Sequence, residues 1–436
     1  MKKILYINQK INSFKKEIFV EGDKSLSIRW VLISSLSKKK SVSYNLLKSE
    51  DVMNSIKCIK ALGSKVKLIK NKCEIIGNGF NIKKKTKIFL NAGNSGTLGR
   101  LILGLLINSN NTIKLIGDKS LSKRDFSRVI EPLKKFGAKF NTKKTLPITM
   151  KGLENPKPIS YLETKGSAQC KTTVMFAALK TKGVTKIKAK KSRDHTELLF
   201  KYLKLPIKIK KKEKFDLIKL KGARKIEPLN YNIPGDISSC AFFIVLTVLS
   251  NNSQLLIKNV NINPSRTGII RILKKMGAFI KLKNQKIYKG EKIADIFVKG
   301  SKQLKSINCP AKWNSSAIDE FLIIFLVAAK AKGVSFFKNL EELNQKESPR
   351  LIWASKILDF MGIKNIMTKN SLKIYGNPNL FLKKKIIIKN FLKDHRVFMM
   401  STIAALSFGG NWKINDVDSI KTSFPKFLKI LRELRT

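Results

Sequence analysis

The chain is short of negative charge. Its 436 residues hold 29 Asp and Glu against 89 Lys and Arg, a formal net charge of +60. Such an excess excludes an acidic interaction protein, and its field draws in anionic small molecules. It also raises nucleic-acid binding as a reading, because basic surfaces bind polyphosphate without sequence preference. The lysines are spread along the whole chain, however, and Asn, Ile and Phe are abundant beside them. That is the composition of AT-biased codon usage, whereas a nucleic-acid protein concentrates its charge. Histidine is scarcer still. His195 and His395 are the only two, which excludes a His-rich metal site. Nothing points to a carboxylate-bound Mg²⁺ either, so no metal is expected. The five cysteines are scattered, odd in number and lack any CxxC, which argues against a disulfide framework or a zinc ribbon and fits a reducing compartment. The longest apolar runs, 241–249 and 321–329, are too short to span a bilayer and read as buried helices. The opening MKKILYINQK has no long apolar core, so no signal peptide is expected and the chain reads as cytoplasmic.

What is present is repetition. A hydrophobe-Gly pair closes an amphipathic stretch at Leu62-Gly63, Phe136-Gly137, Met276-Gly277 and Met361-Gly362, and two short β-like runs follow each. The Gly fits a helix C-cap, and the paired runs fit β-hairpins. The stretch from Leu203 to Gly222 has the same layout without the first Gly, and LKILRELRT at the end reads as a sixth helix cut short. About six helix-plus-hairpin units of roughly 70 residues are longer than solenoid repeats and imply helices packed on sheets. The length suits two domains, and the Pro and Gly near 231–235 put a boundary after the third unit.

A second repetition is finer. GDKSLSIR at Gly22 to Arg29 returns as GDKSLSKR at Gly117 to Arg124. Each copy sets a Gly turn, hydroxyls and cations before a helix-like run, which is how a chain builds an anion site at a helix start. Two copies imply ligands with more than one phosphate or carboxylate. NAGNSGTLGR, from Asn91 to Arg100, is a Gly-rich turn of the kind that exposes backbone N–H groups to anions, but no Lys-Ser/Thr follows its last Gly, so it is not a P-loop. Gly166-Ser167-Ala168-Gln169 is a good helix start. KSRDHTE places Arg193 beside His195, Asp319-Glu320 directly precedes an apolar helix, and Lys346-Glu347-Ser348-Pro349-Arg350 and Asp394-His395-Arg396 set further charges before helices.

In order, GDKSLSIR, NSGTLGR, GDKSLSKR, GSAQ, SRDHTE, PGDISS, NPSRTG, IDE, KES-R, DHR and TSFP resemble the enolpyruvyl transferases, most closely the branch that makes 5-enolpyruvylshikimate 3-phosphate. The resemblance spans Gly22 to Pro425 and implies an α/β fold of two domains, each of three βαβαββ units (an inside-out α/β barrel), with the active site in the interdomain cleft. One domain would be 21–233, the shikimate 3-phosphate side, and the other 1–20 with 234–436. The implied reaction moves the enolpyruvyl group of phosphoenolpyruvate to the 5-hydroxyl of shikimate 3-phosphate by addition and elimination, releasing phosphate, in the shikimate pathway to chorismate and the aromatic amino acids. Two strongly anionic substrates need many cations. By the resemblance, Lys24, Ser25, Arg29, Ser167, Ala168, Gln169, Arg193, Asp319 and Lys346 would hold shikimate 3-phosphate. Lys24, Asn94, Gly96, Arg124, Gln169, Arg350 and Arg396 would hold phosphoenolpyruvate. Lys24, Asp319 and Glu347 would be catalytic, with Asp319 accepting the hydroxyl proton and Glu347 as proton-transfer partner. No cofactor, no membrane and no specific nucleic acid are implied, and a monomer is expected. The retained Gly96 implies inhibition by glyphosate. Three positions depart from the family. Pro349 replaces an Asp expected to orient Arg350, Leu101 replaces a frequent Pro, and Thr422 stands where the family has Lys, with Lys421 one earlier. The alternatives are UDP-N-acetylglucosamine enolpyruvyl transferase, which normally has Lys-Asn where this chain has Lys24-Ser25, and a basic nucleic-acid-binding protein.

Overall fold

The computed structural model describes residues 4–79, 87–141, 144–223 and 225–435. The end of the run after Gly137 and the final Thr436 therefore lie outside the described residues. The chain divides into two compact units. The first is Gly22–Ile233 with Tyr288–Glu291, and the second is Met1–Glu21, Pro234–Ile287 and Lys292–Thr436.

Each unit is a threefold repeat. Within the first, Lys87–Asn91 leads through helix Gly96–Leu105 to Thr112–Ile116, then through helix Ser127–Lys135 to the hairpin Lys139–Phe140 and Ile148–Lys151. The first two strands are parallel, and the last strand pairs antiparallel with both the second and the third. Ile88, Ile113 and Met150 stand in register across this sheet and are buried, while the alternate residues of Lys87–Asn91 face out. That alternation is what a sheet with one covered face requires. The same strand order recurs in Ser160–Lys221, where helices Ala168–Leu179 and His195–Tyr202 make the crossings. In the remaining sheet of this unit the order is completed from far along the chain, by Tyr231–Asn232 pairing parallel with Ser41–Tyr44. The second unit does the reverse and takes Lys15–Phe19 as the parallel neighbour of Gln254–Asn261. Its last sheet has three strands among the described residues, Leu5–Ile7 closing onto Gly409–Ile414.

The two helices of each repeat differ in burial, and sequence decides which goes inside. Helix Ile237–Leu249 is buried on every side, as is nearly all of Phe321–Lys330 and His395–Phe408. These three apolar helices pack on one another in the second unit, and in the first Gly96–Leu105 packs on both Lys24–Ser34 and Ala168–Leu179. A helix hydrophobic all round belongs in a core. The second helices, such as Gly268–Lys275, bury one stripe and expose lysines. Backbones of inner helices come close: a Cβ on Gly104 would sit 2.1 Å from the carbonyl of Thr173 on the neighbouring helix, so only glycine fits there. Gly63, Gly137, Gly277 and Gly362 take positive φ just past helix ends, as their sequence context predicts. Among the described residues no helix is long and apolar enough to cross a membrane.

Candidate active site

Threefold packing gathers helix N-termini, and the charged motifs sit on them. In the first unit, Lys24 and Ser25 open one inner helix, Gly96 the second, and Ala168 and Gln169 the third. The preceding residue caps each start. Asp23 accepts from the Leu26 amide (2.9 Å), Ser95 from Leu98 (3.2 Å) and Ser167 from Cys170 (3.3 Å). The dipoles of all three helices thereby add at one end, favouring anions.

Around these ends the side chains are cross-braced. Lys24 Nζ lies 3.3 Å from Asp51. Asn94 donates to Asp118 (2.6 Å) and accepts from Arg124 Nη2 (3.2 Å). Gly96 faces both neighbouring guanidinium groups: a Cβ there would stand 2.8 Å from Arg100 Nη1 and 3.2 Å from Arg124 Nη1. Arg100, inside the Gly-rich motif but given no role from sequence, stacks on Phe126 and donates to Gln169 Oε1 (2.9 Å). Gln169 also donates to Thr97 (2.9 Å), so both ends of its amide are engaged within the protein. Glu163, buried, ties Arg128 (2.6 Å) to the amide of Ser167 (3.0 Å) and so fixes the loop before the third helix. Arg29 is buried, and its hydrogen bonds go to the hydroxyls of Thr196 and Thr172 and the carbonyl of Ser25. Burial lowers its pKa to about 10; the charges of Glu197 and Asp23 oppose that fall, and Arg193 adds to it.

One expectation needs correcting. The second octapeptide does not start an α-helix. Asp118 accepts from the Leu121 amide (2.7 Å) as Asp23 does from Leu26, but only the single 3-10 turn Leu121–Lys123 follows. Asp125 then accepts from the Ser127 amide (2.7 Å), and the helix proper is Ser127–Lys135. The reason lies after the shared segment, where Trp30-Val31-Leu32 continues the first helix into the core while Asp125-Phe126-Ser127 offers the backbone a competing turn.

In the second unit the acidic and basic motifs converge on helices Phe321–Lys330, Arg350–Phe360 and His395–Phe408. Asp319, partly exposed, lies 3.5 Å from Arg350 Nη1 and 3.8 Å from Lys346 Nζ, and its carbonyl accepts from Arg396 Nη1 at 2.6 Å. Glu320 is not a side-chain cap; its buried carboxylate accepts from Ser238 and lies 3.9 Å from Arg396. Ser238 also accepts from Arg266 Nη2 (2.7 Å), which pairs with Asp236 (2.9 Å). Arg350 does not depend on a residue at position 349. Asp394 accepts from its Nε (2.8 Å) and from Ser348 Oγ (2.9 Å), and Glu347 pairs with its Nη2. Burial alone would lower the Arg350 pKa, but the charges of Asp394, Glu347 and Asp319 outweigh it and hold the group above its ordinary value. Burial likewise pushes the Asp394 carboxyl up, and Arg350 pulls it further down, leaving it below its ordinary value. Asp394 was legible as one member of a charge cluster; its double role, capping the Arg396 amide (2.9 Å) while holding Arg350, was not. Thr422 bonds its own 3-10 turn through the Ser419 carbonyl (2.9 Å).

A solved enolpyruvyl transferase, NikO from Streptomyces tendae, superposes on the whole chain with a TM-score of 0.77 at 13% identity, which establishes the two-domain enolpyruvyl transferase fold. The EPSP synthase (3-phosphoshikimate 1-carboxyvinyltransferase) family model matches residues 8–431, and the chain belongs to that family. It is 36% identical to the 3-phosphoshikimate 1-carboxyvinyltransferase of Petrotoga mobilis over 96% of this chain and 97% of that one. It is 37% identical to that of Ruthia magnifica over 98% and 97%. EPSP synthase from Acinetobacter baumannii has a TM-score of 0.88 and 32% identity, covering 100% of this chain and 98% of that one.

Proposed function

We propose that the protein transfers the enolpyruvyl group of phosphoenolpyruvate to the 5-hydroxyl of shikimate 3-phosphate and releases phosphate. The observation that carries this reading is Asp319, a carboxylate at a helix start with Arg350 at 3.5 Å and Lys346 at 3.8 Å, in a chain matched to the family over residues 8–431. A hydroxyl that adds to a carbon must shed its proton, and Asp319 is the acceptor. The neighbouring cations hold anionic oxygens. Protonation of the vinyl carbon generates a cation-like centre, the hydroxyl oxygen adds to it, and the tetrahedral intermediate loses phosphate together with a methyl proton to restore the double bond. Glu347 is the proton-transfer partner, and Lys24 is the third catalytic residue.

In the first unit Lys24, Ser25, Arg29, Ser167, Ala168, Gln169 and Arg193 take shikimate 3-phosphate, with Asp319 and Lys346 of the second. Phosphoenolpyruvate is taken by Lys24, Asn94, Gly96, Arg124, Gln169, Arg350 and Arg396. Gln169 exchanges its bonds to Arg100 and Thr97 for substrate. Residues 21–233 form the acceptor-substrate domain, with 1–20 and 234–436 as its counterpart. We read the enzyme as a cytoplasmic monomer working without a cofactor; its five cysteines, all buried and unbridged, suit a reducing compartment. A phosphate-release assay with both substrates tests the reading. Release that needs both compounds is expected, and none with both present overturns it.

A further inference from the structure

Arg29 is 3% exposed, yet the groups that hold it are all neutral. A guanidinium has five N–H donors. Nε donates to Thr196 Oγ1 at 2.8 Å, Nη2 to Thr172 Oγ1 at 3.3 Å, and Nη1 to the Ser25 carbonyl at 3.0 Å. Nε and Nη2 form one edge of the guanidinium, the edge a carboxylate usually grips with two oxygens. Here the two threonine hydroxyls, 2.8 Å apart and bonded to each other, occupy that edge in place of a carboxylate. The count leaves one hydrogen on each of Nη1 and Nη2. Charge balance points the same way. A buried cation left without a bonded carboxylate is costly, and Arg193 adds a like charge. The nearby carboxylates are committed elsewhere: Glu197 is 2.5 Å from buried Lys171, Asp23 accepts from the Leu26 amide at 2.9 Å, and Glu291 is 2.6 Å from His195.

We propose that Thr172 and Thr196 are positioning residues, a neutral hydroxyl pair that locks one edge of Arg29 so that its full charge and its remaining N–H donors are kept for the anionic acceptor substrate. A carboxylate in their place would hold Arg29 as firmly and neutralise it. Both threonines lie close in sequence to proposed substrate groups. Thr172 lies one turn beyond Ala168, and Thr196 lies in the first turn of the helix that follows Arg193.

This inference rests on the proposed reaction, and the two fail differently. An inactive wild type would remove the reaction. An active wild type with indifferent threonines would remove only the inference. The test is steady-state kinetics of Thr196→Val, which keeps shape and removes the hydroxyl, beside Thr196→Ser, which keeps the hydroxyl. Losing a hydrogen bond to a charged group predicts a KM for shikimate 3-phosphate about tenfold higher in Thr196→Val, with kcat and the KM for phosphoenolpyruvate within about twofold of wild type. Thr196→Ser returns the value to near wild type. A Thr196→Val KM for shikimate 3-phosphate unchanged from wild type overturns the proposal. So does an equal rise for Val and Ser, or a fall confined to kcat. If Thr196→Val does not fold, Thr172→Val carries the same test with an expected rise of about threefold, its bond being longer.

Discussion

Asp319 and Gly96 show how one side chain, or the lack of one, determines what a site can do. Asp319 is flanked by cations and partly open to solvent, so its carboxylate is available to a proton without burial of an unpaired charge. Asp319→Ala is expected to lower kcat by about 10²- to 10⁴-fold, the range for a lost general base, while both KM values stay within about threefold. Steady-state kinetics on the folded variant checks this, and near-normal turnover would remove the assignment. Gly96 works by absence. An added methyl meets Arg124 Nη1 at 3.2 Å and Arg100 Nη1 at 2.8 Å, so the two guanidinium groups must shift. Overpacking of this kind costs about 1–3 kcal/mol. Gly96→Ala is therefore expected to raise the KM for phosphoenolpyruvate about tenfold and to weaken inhibition by glyphosate, while the KM for shikimate 3-phosphate holds. Initial-rate measurements with and without glyphosate decide it.

At the level of elements, the repeat was legible because its punctuation is chemical. Four glycines past helix ends carry positive φ, and each is followed by the hairpin that alternating residues announce. The helix starts at Lys24, Gly96 and Ala168 were legible for the same reason, since Asp, Ser and Ser stand before them. Partners across the chain were not. Arg350 finds Asp394, 44 residues on, and no local pattern distinguishes that carboxylate from others before a helix. The octapeptide repeat misled in part because identical residues fix only the turn, while the residues after it decide whether a helix propagates. Asp394 joins two elements, capping helix His395–Phe408 and gripping the start of helix Arg350–Phe360. Removing one partner of a buried ion pair costs about 3–5 kcal/mol, so Asp394→Asn should lose that much in urea unfolding at neutral pH. Its pH dependence has a definite sign. The folded-state pKa of Asp394 lies below its ordinary value. The stability it contributes is therefore full above the unfolded value of about 3.9 and is lost as pH falls through the lower folded value. The wild-type urea midpoint should drop over that acid window, and Asp394→Asn should lack this part of the drop. Parallel acid limbs in the two proteins would show that the pair carries no linked stability.

For the whole molecule, the charge of +60 and the local clusters are separate effects, and salt tells them apart. Most lysines lie on outer sheet and helix faces, where Lys114, Lys188 and Lys299 sit over the aromatic rings of neighbouring strands. Charges on these faces act on a substrate only through solvent, over a Debye length of about 10 Å at 0.1 M salt. Lys24, Arg29, Arg350 and Arg396 are buried or half-buried and are screened much less. Two polyanionic substrates approaching a strongly positive surface gain in encounter rate, and this gain falls steeply with ionic strength. Raising KCl from about 0.02 to 0.5 M is thus expected to lower kcat/KM for shikimate 3-phosphate by about tenfold, while kcat changes by less than about twofold. If kcat falls in step with kcat/KM, salt reaches the buried cations and the chemistry they support. If neither changes, the dispersed lysines contribute nothing to capture, and the composition reflects codon usage alone.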